Sequence, residues 1–383
     1  MKRIPYGKQY LDNDDIQSVV DVLNSDWLTC GPTVREFEQR LCDYTGAKYA
    51  VVVSSGTAAL HLAILSLGLS GKWEGITSPN TFLASANAII YGGGKPVFAD
   101  ISEDTYNINH SEIDKQINSN TKVIIPVDFA GHPADMKEIY DIAKKNGLFI
   151  IRDACHSIGS SYMGQKTGGC LYSDMTIFSF HPVKHITTGE GGAILTNNKK
   201  FYDKLIRLRN HGIVRNNDAF RFKNQWPWYY EMQDLGYNYR ITDIQCALGL
   251  SQLKKLDAFV KRRREIVSIY NKVFSGIDEV KIPTEKENVF SSYHLYVLLI
   301  DFVGIGINRV EFMEKLKEKG ILTQVHYIPV HLQPYYRDNF GYRDGNYPVA
   351  EEYYQKAISL PLYPSMTDED VEYVIKCLRE IIC

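Results

Sequence analysis

Three short segments of this chain carry residue types that could do chemistry together. The first is Ser54-Ser55-Gly56-Thr57, set between a β-rich run and a helical pattern. Free backbone N–H groups at a helix start, backed by the positive end of the helix dipole, form an anion site. Gly56 lets the backbone come close to a phosphate and Thr57 adds a hydroxyl donor, although a plain helix cap would use the same residues. The second is Asp153, at the end of the apolar run Leu148-Phe149-Ile150-Ile151. A carboxylate at the end of a central strand is costly to bury without a cationic partner. A protonated pyridine nitrogen would be such a partner; a strand-end cap is the plainer alternative. The third is Phe178-Ser179-Phe180-His181-Pro182-Val183-Lys184, in which Ser179 ends a strand and Pro182 keeps the following loop from being helical. A lysine in a partly enclosed site can have its pKa lowered and become a nucleophile toward carbonyl carbon. The loop continues as Thr187-Thr188-Gly189-Glu190-Gly191-Gly192, whose glycines allow tight backbone approach. Each segment alone has an ordinary structural use. Together, in this order, they are what an imine-forming cofactor with a phosphate and a protonated ring nitrogen requires.

The elements that must position these residues are legible in the hydrophobic pattern. Strands are expected at Tyr49–Ser54, Lys122–Val127, Leu148–Asp153, Met175–Phe180 and Ala193–Thr196, with helices at Ala58–Leu69, Phe82–Tyr91 and Met136–Asn146. Such alternation predicts an α/β fold with a large, mostly parallel sheet covered on both faces. Sheets of this kind bind ligands at the carboxyl ends of their strands, where the three segments fall. From Leu253 the character changes: a long amphipathic helix to Phe274, a strand at His294–Asp301, a helix at Arg309–Lys319, then a short strand and two more helices. This reads as two domains, an N-terminal arm with a large domain over residues 1–250 and a smaller α+β domain over 251–383. The N-terminal segment is expected to pack back against the C-terminal part.

Bulk properties exclude several classes. The 383 residues are 44% hydrophobic and 23% charged, an ordinary globular composition. A formal charge of −2, from 43 basic and 45 acidic residues, argues against a nucleic-acid partner. The apolar stretch from Tyr49 to Leu69 is interrupted by Ser54, Ser55, Gly56, Thr57 and His61, so it reads as strand, turn and helix rather than a membrane span. Met1–Tyr10 lacks the pattern of a secretory signal. Seven cysteines without Cys-x-x-Cys spacing suggest neither disulfides nor a zinc ribbon, and fit reduced thiols in a cytoplasm. No metal is expected: His181 and His185 are four apart, but Pro182 and the glycines disfavour a helix that would place both on one face.

The three segments and Gly236-Tyr237-Asn238-Tyr239-Arg240 make the chain resemble the DegT/DnrJ family of sugar aminotransferases, over essentially its whole length. The resemblance implies the fold type I architecture of pyridoxal-phosphate-dependent transferases, as in aspartate aminotransferase. It implies that Lys184 is catalytic, binding the cofactor covalently and then moving the proton. It further implies that Gly56, Thr57 and Ser179 hold the cofactor phosphate, Phe82 stacks on the pyridine ring and Asp153 pairs with the ring nitrogen. Many relatives have glutamine contacting the ring hydroxyl where this chain has His156, which is expected to bind the cofactor by donating the same hydrogen bond. Asn238 matches a residue that reaches the phosphate of the neighbouring subunit, so a homodimer with shared sites is implied. Within the family the likeness is strongest to the pseudaminic-acid branch, through Ile4–Lys8, Asp26–Pro32 and Val325–His331. On that likeness Tyr6, Asp26, Trp27, Leu28, Thr29, His326 and Tyr327 are expected to bind substrate. The implied substrate is a UDP-linked 4-keto-6-deoxy-N-acetylhexosamine, aminated with glutamate as donor; another nucleotide-linked 3- or 4-ketosugar is the alternative.

Overall fold

The computed structural model describes residues 3–223 and 225–382; Cys383, the seventh cysteine, lies outside them. The strands of the large sheet are β1 (Tyr49–Val53), β2 (Glu74–Thr77), β3 (Lys95–Phe98), β4 (Thr121–Ile125) and β5 (Phe149–Asp153). A small hairpin follows, β6 (Ser161–Tyr162) and β7 (Gln165–Lys166), and then β8 (Met175–Ser179) and β9 (Gly192–Thr196) complete the sheet. Its seven strands lie in the order β1-β9-β8-β5-β4-β2-β3. Only β9 runs against its neighbours, pairing antiparallel with both β1 and β8; the remaining pairs are parallel. The chain is an α/β protein of the fold type I kind.

Strand alternation divides the core. The helices ahead of and between the strands are α1 (Asn13–Leu23), α2 (Pro32–Thr45), α3 (Gly56–Leu67), α4 (Leu83–Tyr91), α5 (His110–Gln116), α6 (Met136–Asn146), α7 (Lys199–Arg209) and α8 (Asp243–Phe274). Val51, Val53, Ile151 and Ile177 face α3, α4 and α7, whereas Val52 and Phe178 face Phe37 of α2 and Leu256 of α8. That alternation follows from the two-residue period of a strand. All six are fully buried, so truncating Ile151 to alanine would cost about 2–5 kcal/mol.

Within the large sheet two strands were not expected, β2 and β3. Both are four residues long, and each contains a β-breaking residue, Gly75 or Pro96. Pro96 is tolerated because β3 is the sheet edge, where a missing N–H leaves no inner ladder bond unmade.

Helix α8 starts ten residues before the expected Leu253, closed by a capping box between Thr242 and Gln245. Its first half packs on the sheet through Cys246, Leu253 and Leu256. Its second half, with Tyr270 and Phe274, belongs to a C-terminal core. The proposed division at residue 250 falls within this helix. The C-terminal core lies under three antiparallel strands, Val280–Lys281, Tyr296–Ile300 and Ala357–Leu360, with helices Arg309–Glu318 and Asp368–Ile382. The N-terminal segment joins this part: Ile4 exchanges backbone hydrogen bonds with Gly320 and Leu322, and Leu362 N–H donates to the Tyr6 carbonyl at 3.0 Å.

Candidate active site

The carboxyl ends of β1, β5 and β8 open into a cavity of about 600 Å³. Tyr6, Gly56, Thr57, Phe82, Asp153, His156, Ser179, Lys184, His326 and Tyr327 all line it.

The anion end is built by the turn from β1 into α3. Ser55 caps the helix, its Oγ accepting from Ala58 N–H at 3.1 Å. Among the described residues no acceptor meets the N–H groups of Gly56 and Thr57, which stand at the positive end of the helix. Ser179 lies directly opposite. A Cβ built on Gly56 would come within 2.9 Å of the Ser179 Cβ and 3.2 Å of its Oγ, so only glycine permits this approach. Ser179 Oγ accepts from His181 N–H at 3.4 Å, which leaves its own proton free to be donated.

Asp153 ends β5 and is buried. Its Oδ2 accepts from Ser85 Oγ at 2.7 Å and its Oδ1 from Cys155 N–H at 3.1 Å. Thr81 and Ser85 hydroxyls are 2.8 Å apart, and since Ser85 donates to the carboxylate, Thr81 must donate to Ser85. Among the described residues no cationic side chain forms an ion pair with this buried carboxylate. A ring N–H⁺ would supply the missing charge.

Lys184 reaches the cavity from a turn in which its N–H donates to the His181 carbonyl at 2.9 Å. Burial pushes its pKa below the ordinary lysine value, while Cys155 and Asp153 oppose the shift. Desolvation wins, so more of the amine is free base than in water. Phe82 caps α4 with its ring 58% exposed, an arrangement suited to a stacking ligand rather than to core packing. Burial also lowers the pKa values of His156, His294 and His326, the last to about 3, and raises that of Cys155 well above the usual thiol value. The histidines around the lysine are therefore neutral and Cys155 is not a thiolate at neutral pH.

Five expected site residues do not line the cavity. Asp26, Trp27, Leu28 and Thr29 lie beside the start of α8, where the Leu28 carbonyl accepts from Asp243 N–H and Thr29 bridges Thr242. Asn238 is exposed on a segment bridged to Asn210. Two residues that sequence reasoning missed belong to the site. Ser85 had a weak signal, a polar residue among Leu83, Ala84 and Ala86 in the first turn of α4. His294 had none; it opens the C-terminal strand region and reaches the cavity only through the fold. Among the described residues no cluster of metal-ligating side chains is placed to hold a metal ion, and no helix is long and apolar enough to cross a membrane.

An unpaired buried carboxylate, a glycine-enforced anion cradle and a desolvated lysine fit pyridoxal phosphate. Comparison with known proteins agrees. The chain belongs to the DegT/DnrJ/EryC1/StrS aminotransferase family, which matches residues 9–379, and pyridoxal phosphate is the cofactor of that family. It is 41% identical over 381 residues to the spore coat polysaccharide biosynthesis protein SpsC of Bacillus subtilis, covering 99% of this chain and 97% of that protein. It is 40% identical over 385 residues to the UDP-4-amino-4,6-dideoxy-N-acetyl-beta-L-altrosamine transaminase of Campylobacter jejuni, with the same coverage. Among solved structures, PseC of Helicobacter pylori, an aminotransferase of pseudaminic-acid biosynthesis, superposes with a TM-score of 0.92 at 34% identity, covering 100% of this chain and 99% of that one. The chain is a sugar aminotransferase of this family.

Proposed function

We propose that the protein converts a UDP-linked 4-keto-6-deoxy-N-acetylhexosamine to its 4-amino sugar, with glutamate as amino donor, in pseudaminic-acid biosynthesis. The observation that carries this reading is the wall opposite the cofactor residues. Tyr6 and His326 stand there with ring centroids 5.2 Å apart, beside Tyr327, in the segments that resemble the pseudaminic-acid branch. Half-buried aromatic rings beside a buried imidazole suit a deoxy sugar, which offers both apolar faces and hydrogen-bonding groups.

Pyridoxal phosphate, when bound, supplies an aldehyde for the amine and a ring that takes up the electron pair of the carbon being deprotonated. The chain's residues do the rest. Gly56, Thr57 and Ser179 would hold the phosphate, and Asp153 would hold the proton on the ring nitrogen. Phe82 would lie on the ring face. Lys184 would be the covalent anchor and, once released, the general base and acid that moves the proton; burial lowers its pKa and so makes more of the amine available as a base than in water.

The active unit in this reading is a homodimer, with Asn238 and the Asp26–Thr29 segment completing the partner's site. Trp27, Trp226, Trp228 and Leu235 are each more than half exposed in the single chain, and apolar surface of that kind favours a partner. The 41% likeness to the spore coat polysaccharide protein favours a second reading, another nucleotide-linked 3- or 4-ketosugar. Mass spectrometry of products from a panel of UDP- and dTDP-linked 4-ketosugars with glutamate separates the two. Amination confined to the acetamido sugar is expected; equal turnover of sugars lacking the acetamido group would overturn the first reading.

A further inference from the structure

The cavity wall contains a hydrogen-bonded chain whose direction is fixed by its backbone end. Ala130 N–H donates to His156 Nδ1 at 3.3 Å, and His156 Nε2 lies 3.2 Å from the Tyr327 hydroxyl. A neutral imidazole carries one hydrogen. With Nδ1 accepting, that hydrogen must sit on Nε2 and be donated to the Tyr327 oxygen. The phenol's own hydrogen then cannot point at His156. The Tyr327 hydroxyl has no other partner among the described residues, and its side chain lines the cavity together with Phe82, Asp153 and Lys184.

The structure enforces the first link. Ala130 adopts φ +56°, the left-handed region that a non-glycine residue rarely occupies. Its neighbours over-determine that conformation: Phe129 N–H donates to Asn107 Oδ1 at 2.7 Å, and the Ala130 carbonyl accepts from Leu295 N–H at 3.3 Å. Gly131 follows at φ +98°, where a Cβ would strike the backbone nitrogens of His294 and Tyr293 at 2.6 and 2.7 Å. Strain of this sort persists only where surrounding structure holds it. On its other face the His156 ring is held by His294, with centroids 4.3 Å apart.

We propose that His156 is a positioning residue that fixes the Tyr327 hydroxyl as a hydrogen-bond donor into the cavity, toward an acceptor oxygen of the bound ligand. The inference rests on the cavity being the cofactor and sugar site. The acceptor is either the phenolic oxygen of pyridoxal phosphate or an oxygen of the ketosugar. Glutamine can reproduce the pattern, with Oε1 accepting from Ala130 and Nε2 donating to Tyr327. Glutamate cannot: its carboxylate accepts from both sides and would turn the Tyr327 hydrogen away from the cavity.

The first measurement is independent of catalysis. Nitrogen-15 NMR of the unloaded protein, with His156→Gln used to assign the ring, should show neutral His156 with hydrogen on Nε2. Hydrogen on Nδ1, or a doubly protonated ring at neutral pH, overturns the proposal while leaving the sugar aminotransferase reading intact. The second compares Tyr327→Phe, His156→Gln, His156→Glu and the Tyr327→Phe/His156→Glu double variant. Pyridoxal phosphate affinity and the absorbance of the bound cofactor are read without sugar, and kcat and KM are read with the UDP-linked acetamido ketosugar. Tyr327→Phe and His156→Glu should each lose about tenfold in one arm, the size of one buried hydrogen bond. The double variant should lose no more than either, and His156→Gln should stay within about twofold of wild type. Loss in the cofactor arm assigns the acceptor to pyridoxal phosphate; loss confined to KM assigns it to the sugar. Additive losses, or no loss in either arm, overturn the proposal.

Discussion

Adding one methyl group at Gly56 should damage cofactor binding without removing any group that binds the cofactor. A Cβ there would lie 2.9 Å from the Ser179 Cβ and 3.2 Å from its Oγ, with Cys155 Sγ at 3.5 Å. The first distance is roughly 0.5 Å short of ordinary contact, and both Ser179 atoms are held by the end of β8, so the strand end must shift. Two effects oppose one another. Alanine suits a helix better than glycine by at most about 1 kcal/mol. Overpacking a filled site costs about 1–3 kcal/mol, so sterics win and the unloaded protein is slightly destabilised. The larger effect is on the cradle. A Ser179 hydroxyl displaced from a phosphate forfeits a hydrogen bond to a charged group, about 1.5–3 kcal/mol, which is roughly a ten- to hundredfold rise in Kd. Fluorescence titration of Gly56→Ala with pyridoxal phosphate measures it. Ser179→Gly removes both colliding atoms, so in that background Gly56→Ala should add almost nothing to Kd. An unchanged Kd in the single variant, or an equal penalty in both backgrounds, would refute the geometry argued here.

Borohydride treatment of the loaded protein should fix the cofactor to the peptide carrying Lys184, and label on any other lysine would displace Lys184 from its role. Because burial lowers the Lys184 pKa, the rate of cofactor capture by the unloaded protein should rise with pH and level off below the ordinary lysine pKa; a midpoint at or above that value would contradict the desolvation. The depressed pKa values of His156, His185, His294 and His326 mean that below about pH 6.5 the unfolded chain binds more protons than the folded one. Their contribution to stability is therefore present above that pH and lost as pH falls, and urea titrations of His294→Gln should show one proton less of pH slope than wild type. Mixing Lys184→Ala with Asn238→Ala subunits should restore activity through one intact site per mixed dimer; proven subunit exchange without recovery would reject a shared site.

What the sequence disclosed and what it hid follow from range. The Ser-Gly-Thr start of α3, the carboxylate ending β5, the serine ending β8 and the lysine after it are legible because each is a local consequence of a strand ending, and strand ends are where a parallel sheet binds ligands. Strands β2 and β3 were hidden because four residues containing Gly75 or Pro96 cannot show a period. The first turns of α8 were hidden for another reason. Cys246, Ala247, Gly249, Ser251 and Gln252 are all buried there, so no polar stripe marks the helix. Gly249 lies so close to Phe37 that a Cβ would come within 2.6 Å of the ring, and the absent side chain that looks like a helix breaker is what lets α2 and α8 pack. The His156–Tyr327 contact joins residues 171 apart in sequence, and no local pattern could announce it.

The cavity therefore has two walls with different owners. Gly56, Phe82, Asp153, Ser179 and Lys184 belong to the large sheet and the helices on it, and their positions are set by its core. Tyr6, His326 and Tyr327 are tied to the C-terminal part: the Tyr6 carbonyl to Leu362 N–H, and His326 Nδ1 to Ser359 Oγ at 2.8 Å. Helix α8 enters both cores, and its buried Arg263 ties the C-terminal wall together, Nη1 donating to the carbonyls of Tyr293, His294 and Leu362 at 2.9 to 3.3 Å. On the proposed function, changes to Tyr6 or His326 would alter what sugar is held without moving Asp153, Ser179 or Lys184. By the same geometry, a change that loosens Arg263 would alter the distance between substrate and Lys184 even though Arg263 itself need touch neither.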